Sequence, residues 1–213
     1  MRRNAPFGMT HTDSAKRNML LRFFPPPSFL AMPAVGLSFS DTTVHFVEFL
    51  GHAEDLQLGD YGSKKLPRKA IVDGEVQKPE QLVEVIQELK EDFDFRFVRV
   101  ALPEEHGYLY QTSVPLTPDA NLLEQVEFTL EENVPLALSE AVFDYEITAV
   151  HPKKEEVDVV VTAFSQSVIE AYAAVLESTD LMPVSFEIEA NAIARAVIDR
   201  YDDQAYIVAN FKH

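Results

Sequence analysis

Side chains capable of chemistry are numerous in this chain, but their spacing forms none of the common catalytic or metal-binding motifs. There is no cysteine, which excludes thiol nucleophiles, thiolate zinc sites and Fe–S clusters. The sequence contains no Gly-x-Ser-x-Gly, no phosphate-binding P-loop and no Gly-x-Gly-x-x-Gly. No two histidines are four residues apart, the spacing that places two metal ligands on one helix face, so we expect surface or packing roles for them. The histidines in question are His45, His52, His106, His151 and His213.

Four glutamates on one predicted helix are the other candidates for acid–base chemistry. Paired carboxylates can divide the roles of general acid and general base. Here no histidine, lysine or nucleophile accompanies them at a matching spacing, so we expect a solvated helix face instead. The four are Glu124, Glu127, Glu131 and Glu132.

Length, composition and charge narrow the class of protein. The 213 residues are enough for one large or two small domains with their own cores. Hydrophobic residues make up 46% and charged residues 25%, as in ordinary globular proteins. The formal net charge of −17 repels phosphate backbones and makes nucleic acid an unfavourable partner. No apolar run reaches the roughly 20 residues of a membrane span. These features predict a soluble, acidic, cytoplasmic protein.

Residues 1–33 differ in charge from the rest, with five basic residues and one acid. They lack the continuous apolar stretch and the small-residue cleavage site of a signal peptide. Two interpretations remain open. The segment is a disordered leader, with Met19 as the true start of the protein, or it is a basic and aromatic tether that makes weak contact with an anionic membrane.

Hydrophobic periodicity predicts a βββαβ arrangement in the first half. Apolar residues that alternate with polar ones indicate strands, and the stripe that follows Pro79 indicates a helix. The predicted elements are two strands within 34–50 joined by a tight turn, a strand near 56–61, a loop over 62–78 with a turn at Asp73-Gly74, a helix over 79–92, and a strand over 97–102.

The second half predicts the order β-α-β-β-α-β, the split βαβ pattern, as a module inserted into the first domain. A long amphipathic helix and the beginning of a new strand follow it. The predicted strands are 108–114, 142–150, 157–164 and 184–188, and the predicted helices are 118–133 and one that starts after the N-cap Ser165. The final helix covers 189–201 and the new strand 206–211.

The sequences and the order of several motifs resemble those of the PilM family, which are cytoplasmic actin-like proteins of the type IV pilus inner-membrane platform. The resemblance covers about residues 19–213, and the cell-division protein FtsA is a more distant relative. The stretches that carry it are 33–37 with 44–48, 61–62 with 66–67 and 71–76, 98–105, 130–136, 143–145 and 185–196.

The resemblance implies an α/β fold, specifically an actin-like (RNase H-like) first domain with an inserted β-α-β-β-α-β subdomain. The second actin-like domain is then absent from this chain. The predicted division is a leader at 1–33, a core at 34–103 and 189–205, the inserted subdomain at 104–188, and the first strand of a missing second domain at 206–213.

The resemblance also implies two phosphate loops, and both depart from the pattern of a family that binds ATP. In the first loop Ser38 replaces the carboxylate and Ser40 replaces a glycine. In the second loop Asn210 replaces the aspartate, and Lys212 replaces the glycine. Neutral ligands hold Mg²⁺ poorly, so we expect no ATPase activity and no resident cofactor or metal. Weak nucleotide binding in a longer protein stays an alternative, through Ser40, Asp41, Thr42 and Thr43 of the first loop.

The function that the resemblance implies is that of an adaptor at the inner face of the cytoplasmic membrane. PilM-like proteins bind the short cytoplasmic N-terminal segment of PilN, a single-pass membrane protein, in a groove between the core and the inserted domain. Strand 108–114 is a candidate wall of that groove, and its aromatic residues Tyr108 and Tyr110 are either groove or ordinary core. Other platform proteins or a second copy are further candidate partners. An ATP-dependent switch or an FtsA-like division protein are the alternative functions.

Overall fold

The computed structural model describes residues 34–51, 56–115, 121–199, 202 and 204–210. The predicted leader, the first residues of the predicted helix 118–133, and Tyr201, His52 and 211–213 lie outside the described residues. The strands are β1 Ala34–Phe39, β2 Thr43–Leu50, β3 Gln57–Lys65, β4 Ile71–Val72, β5 Glu75–Val76, β6 Phe97–Leu102, β7 Gly107–Pro115, β8 Ala141–His151, β9 Glu156–Ser165 and β10 Met182–Ile188. The helices are α1 Pro79–Phe93, α2 Leu122–Asn133, α3 Gln166–Ser178 and α4 Glu189–Val197.

The larger sheet has five strands in the order β10-β6-β1-β2-β3. The first three strands along the chain form an antiparallel meander, whereas β6 and β10 run parallel to β1 and extend the sheet on its other side. Parallel neighbours need a crossover connection, and α1 and α3 are the helices in the two crossovers. The predicted βββαβ opening is confirmed in its main elements.

One face of the larger sheet and two helices form the main core. Val35, Leu37 and Phe39 alternate along β1 and are all buried, as a half-buried strand requires. Helix α1 begins at Pro79, whose fixed φ suits the first helical turn. It ends at Phe93 and is followed by the C-cap Asp94, which adopts the left-handed conformation. Its buried stripe packs here beside that of α3, and the two stripes are Leu82, Val85, Ile86 and Leu89 in α1 and Val168, Tyr172, Val175 and Leu176 in α3.

The predicted loop over 62–78 is wrong in part, because it contains ordered strand. Strand β3 continues to Lys65, and β4 and β5 form a separate two-stranded hairpin. The predicted turn at Asp73-Gly74 is confirmed, and both residues have positive φ, 50° and 77°, as a two-residue hairpin turn requires. Strands of two residues are too short to show an alternating pattern in the sequence.

The smaller sheet has three strands in the order β7-β9-β8 and is covered on one face by α2. Helix α2 begins after Asn121, whose side chain accepts a hydrogen bond from the Leu123 amide at 3.1 Å. A second core lies between this helix and the sheet. Its buried members are Val114, Val126, Leu130, Val134, Val157, Val159, Val161 and Ala163.

The elements of the predicted insert 104–188 divide between the two sheets. The order β-α-β-β-α-β is present, but α3 packs in the main core and β10 pairs with β6 of the larger sheet. Helix α3 is therefore the crossover that returns the chain to the larger sheet. The split βαβ interpretation had assigned this helix to the insert. Ser165 precedes α3 as predicted, although its hydroxyl contacts the Ser167 hydroxyl at 2.8 Å and makes no capping bond.

Two predictions for the last residues are wrong. Helix α4 ends at Val197 and Ile198 is extended, with φ −112° and ψ 127°. Two adjacent β-branched residues and Asp199 at the negative end of the helix dipole disfavour further turns. Residues 205–210 form neither helix nor strand, and Ile207 is 99% exposed. A strand needs a neighbour for its backbone hydrogen bonds, and no described strand lies beside 206–210.

Candidate functional site

The turn between β1 and β2 contains most of the residues predicted to contact a nucleotide, and it is closed by its own hydrogen bonds. The Ser40 amide donates to the Thr43 carbonyl at 2.9 Å, and the Thr43 amide donates to Ser40 Oγ at 3.1 Å. Ser40 Oγ donates in turn to the Thr43 carbonyl at 3.0 Å. The Thr42 carbonyl accepts from the Leu66 amide at 2.8 Å, which joins the turn to the end of β3. Ser40 therefore uses both its amide and its hydroxyl to hold the turn.

Asp41, at the tip of this turn, connects it to the β4–β5 hairpin. Its Oδ2 accepts from the Asp73 amide at 3.0 Å and its Oδ1 accepts from the Gly74 amide at 3.2 Å. Two successive amides that point to the same place form an anion-binding concavity, the arrangement that phosphate loops use. In this protein the chain's own carboxylate fills that concavity.

A buried tyrosine holds the same hairpin from the opposite side. The Tyr172 hydroxyl of α3 donates to the Gly74 carbonyl at 2.9 Å, and its ring packs on Phe39 with centroids 5.1 Å apart. Burial raises the pKa of Tyr172, and the charges of Asp41 and Glu105 raise it further. The phenol therefore stays neutral and remains a hydrogen-bond donor across the physiological range.

Gly74 is favoured by its conformation and by the limited space around it. Its φ is 77°, and a Cβ there would lie 3.2 Å from Glu105 Oε2 and 3.2 Å from Pro103 Cβ. Carboxylates thus surround this corner of the molecule, and their charge repels a phosphate. The acidic residues involved are Asp41, Asp73, Glu75 and Glu105, and His106 approaches one of them, Glu75, at 3.5 Å.

The residues at this corner do not fit a magnesium nucleotide. Ser38 is half-buried in β1 opposite His45 and brings only a hydroxyl. Asn210 lies exposed in the segment without helix or strand, and no hydrogen bond between described residues joins it to the β1–β2 turn. The carboxylate that is present, Asp41, already accepts from two amides. Ser40, Asp41, Thr42 and Thr43 are consecutive residues of the β1–β2 turn, and their role toward a nucleotide stays a prediction.

A serine, an aspartate and a histidine meet on the smaller sheet, but in an order that does not suit nucleophilic catalysis. Ser113 Oγ donates to Asp158 Oδ1 at 2.6 Å, and His151 Nε2 lies 2.8 Å from Asp158 Oδ2. In a catalytic triad the histidine lies between the nucleophile and the acid, so that it can take the hydroxyl proton. Here the aspartate is in the middle, and the cluster ties the three strands of the sheet together.

The meeting point of the two sheets, which we call the junction, is formed by Gly107, Leu109, Thr162, Ile188 and Asn191. A Cβ at Gly107 would lie 2.7 Å from Ile188 Cδ1, so the first residue of β7 must be glycine for the sheets to approach as they do. The Asn191 side chain of α4 donates to Thr162 Oγ1 at 3.4 Å. Leu109 is 44% exposed and provides an apolar contact surface.

The two aromatic residues of β7 belong to the second core. Tyr108 and Tyr110 are half-buried against it, and the Tyr110 hydroxyl lies 2.9 Å from Thr129 Oγ1 of α2. Burial raises the pKa of Tyr110, although its hydrogen bond with Thr129 opposes this. Of the two interpretations left open by the sequence, the structure supports ordinary core. Leu109, which lies between them in β7, has its side chain on the opposite face of the sheet, toward the junction.

Within the described ranges, no group of three or more histidine, aspartate or glutamate side chains is arranged to hold a metal ion. In the same part of the chain, no helix is long and apolar enough to cross a membrane.

Sequence reasoning missed the role of the Tyr172 hydroxyl and the space limit at Gly107. Tyr172 fits the helical stripe of α3 so well that its hydroxyl gives no separate signal. Gly107 is an isolated glycine at the start of a strand pattern, and such a glycine indicates close approach of another part of the chain. That rule was the available signal for the junction.

Comparisons with known proteins give one family and a set of solved structures, two of which are described here. The family described as type IV pilus assembly protein PilM matches residues 36–205. A solved structure named as the PilM-PilN type IV pilus biogenesis complex is 25% identical with a TM-score of 0.67, over 76% of this chain and 49% of the other. The cytoplasmic domain of EpsL, an inner membrane component of the type II secretion system of Vibrio cholerae, is 17% identical with a TM-score of 0.47, over 72% and 55%. A comparison with curated proteins returns no match. The chain spans about half the length of the solved PilM, and over that part the predicted α/β, actin-like fold is confirmed.

Proposed function

The chain belongs to the PilM family of type IV pilus assembly proteins, and from this premise we propose that it is a non-catalytic adaptor of the pilus assembly platform. In this proposal it works at the inner face of the cytoplasmic membrane and binds the cytoplasmic N-terminal segment of a PilN-like membrane protein. The observation that carries the proposal is the likeness to a PilM whose solved structure is a complex with PilN.

The junction is the proposed binding surface for that segment. It lies between the two sheets, where exposed Leu109 offers an apolar contact. Strand β7 pairs with β9 over all nine residues, and no other described strand lies on its second edge. A free edge can accept the backbone of an extended peptide as an added strand, and flanking side chains can then select its sequence.

The absence of catalysis is the second part of the proposal. It is supported by the β1–β2 turn, where Asp41 is held by two amides of the β4–β5 hairpin and the hydroxyl of Ser40 closes the turn. A turn that satisfies its own polar groups is ordered without a ligand. An adaptor of this kind does not depend on nucleotide to present its binding surface.

Calorimetric titration with the N-terminal peptide of the cognate PilN-like protein tests the proposed partner. We expect saturable binding in the micromolar range, and a scrambled peptide as the control should give no heat. Leu109→Asp should weaken binding at least tenfold because it places a charge at the apolar contact. Ile147→Asp is the matched control, since Ile147 is 54% exposed on the opposite edge strand β8. No binding at high micromolar peptide would refute the adaptor role.

Thermal unfolding with Mg²⁺ and ATP tests the second part. A site filled to 100 times its Kd would add about 2.7 kcal/mol of stability. For a chain of this size that corresponds to a rise in Tm of about 5–11 °C. We expect no change at millimolar ATP, and a rise of that size would establish a nucleotide switch instead.

A further inference from the structure

Helix α2 has one side chain that its amphipathic pattern does not explain. Phe128 is 74% exposed, although the helix buries Val126 and Leu130 against the smaller sheet. Those two residues each lie about 160° around the helix from Phe128, so the ring occupies the position that points farthest from the core. An aromatic ring at the centre of a solvent-facing stripe gains nothing from this fold alone.

The side chains around Phe128 are negatively charged, so they favour a positively charged partner. Glu124 lies one turn before it, and Glu131 and Glu132 lie one turn after, the spacings at which helix side chains are adjacent. All three are exposed. The surrounding sequence has the same sign, because the stretch from Gly107 to Pro152 contains eight carboxylates and no lysine or arginine.

This face is separate from the junction. Helix α2 covers one face of the smaller sheet, where it contacts Tyr110, whereas the side chains at the junction, Leu109 and Thr162, lie at the alternate positions of their strands and face the other side. A partner on the outer face of α2 and a peptide at the junction therefore lie on opposite sides of one sheet.

We propose that the outer face of α2, centred on Phe128 and its three neighbouring glutamates, docks a cationic amphipathic segment of another protein. The aliphatic or aromatic side of that segment covers the Phe128 ring, and its lysines and arginines lie against the carboxylates. The ring provides affinity through burial of apolar surface, and the carboxylates provide the attraction and the selection for positive charge.

Fluorescence anisotropy with a labelled leucine–lysine peptide, ordered to give one apolar helical face, tests this on the whole chain. Phe128→Ser should weaken binding about tenfold, because the apolar surface of the ring is no longer buried by the peptide. Glu131→Gln combined with Glu132→Gln should weaken binding and reduce its dependence on salt. The matched controls are Phe49→Ser, a 54% exposed ring on β2, and Glu80→Gln with Glu84→Gln on α1, and neither should change the affinity more than twofold.

Four results would overturn the proposal. Phe128→Ser could bind the peptide as the unchanged chain does, or a peptide of the same composition without an apolar face could bind equally well, which would leave only non-specific charge attraction. The PilN-like peptide could displace the probe completely, which would make the two surfaces one. Sedimentation could show self-association that Phe128→Ser abolishes, which would make a second copy the occupant.

Discussion

Gly107→Ala is the substitution that tests how the two sheets meet. The backbone at Gly107 is extended, with φ −99° and ψ 137°, so alanine fits this conformation without strain. Space is the only obstacle. The new Cβ would lie 2.7 Å from Ile188 Cδ1 and 3.0 Å from Phe164 Cε1, and both partners are at least 95% buried.

The expected cost follows from the overlap. Overpacking a filled core by one methyl group destabilises by about 1–3 kcal/mol, and we expect about 2 kcal/mol here because buried side chains have little room to move. Ile188→Val removes Cδ1 and alone costs about 1 kcal/mol. The double variant should also cost about 2 kcal/mol rather than the additive sum of about 3 kcal/mol, because the shorter side chain relieves the contact.

Urea denaturation of the four proteins measures this coupling, and thermal unfolding should show a fall in Tm of about 4–8 °C for Gly107→Ala. Gly59→Ala is the matched control, since its Cβ would also meet an atom at 2.7 Å, Oε2 of Glu48. That atom ends a flexible, partly exposed side chain that can move aside, so the control should change stability by less than about 0.5 kcal/mol. A stable Gly107→Ala, or costs that add in the double variant, would refute the close packing at the junction.

Three further predictions concern side chains that form hydrogen bonds between elements. Tyr172→Phe leaves the buried Gly74 carbonyl without its donor and should cost about 1–2 kcal/mol in urea denaturation. Asp41→Asn keeps one acceptor for the two hairpin amides and should cost about 1 kcal/mol in the same assay, so an unchanged midpoint would contradict the connection. The hydrogen bond from Ser113 holds the pKa of Asp158 below its ordinary value of 3.8. That contribution is present above the ordinary value and is lost as the pH falls through the lower one, so the stability advantage over Asp158→Asn should shrink from about pH 5 to about pH 3 in urea titrations.

The parts of the fold that the sequence predicts well are those with a local signal. The stripe of α1, from Leu82 to Leu89, and the run of β6 each repeat with the period of their element, and both elements lie within two residues of their predicted bounds. Long-range choices have no such signal. The pattern of 184–188 is that of a strand in either sheet, and only the packing of α3 on the main core decides that β10 joins β6.

The candidate site shows the same limit at the level of single residues. The sequence groups Ser40 to Thr43 because they are neighbours in a predicted turn. The partners of Asp41 are 32 and 33 residues away in the chain, so its role as an internal anion cannot be read locally. The exposure of Phe128 was equally hidden, since an apolar residue in a helical window counts toward the core until its angle from Val126 and Leu130 is known.

Asp41 also decides how nucleotide and partner binding relate in the proposed adaptor. Because Asp41 accepts from the two hairpin amides, a phosphate must displace that carboxylate and lose part of its own hydration before it gains those hydrogen bonds. The displacement would also loosen the hairpin that Tyr172 holds from α3, the helix that leads into β10 and the junction. Affinity for a PilN-like peptide should therefore be the same with and without millimolar ATP in the calorimeter. A change in affinity on adding ATP would mean that the turn is a ligand site after all, and that its internal bonds are one state of a switch.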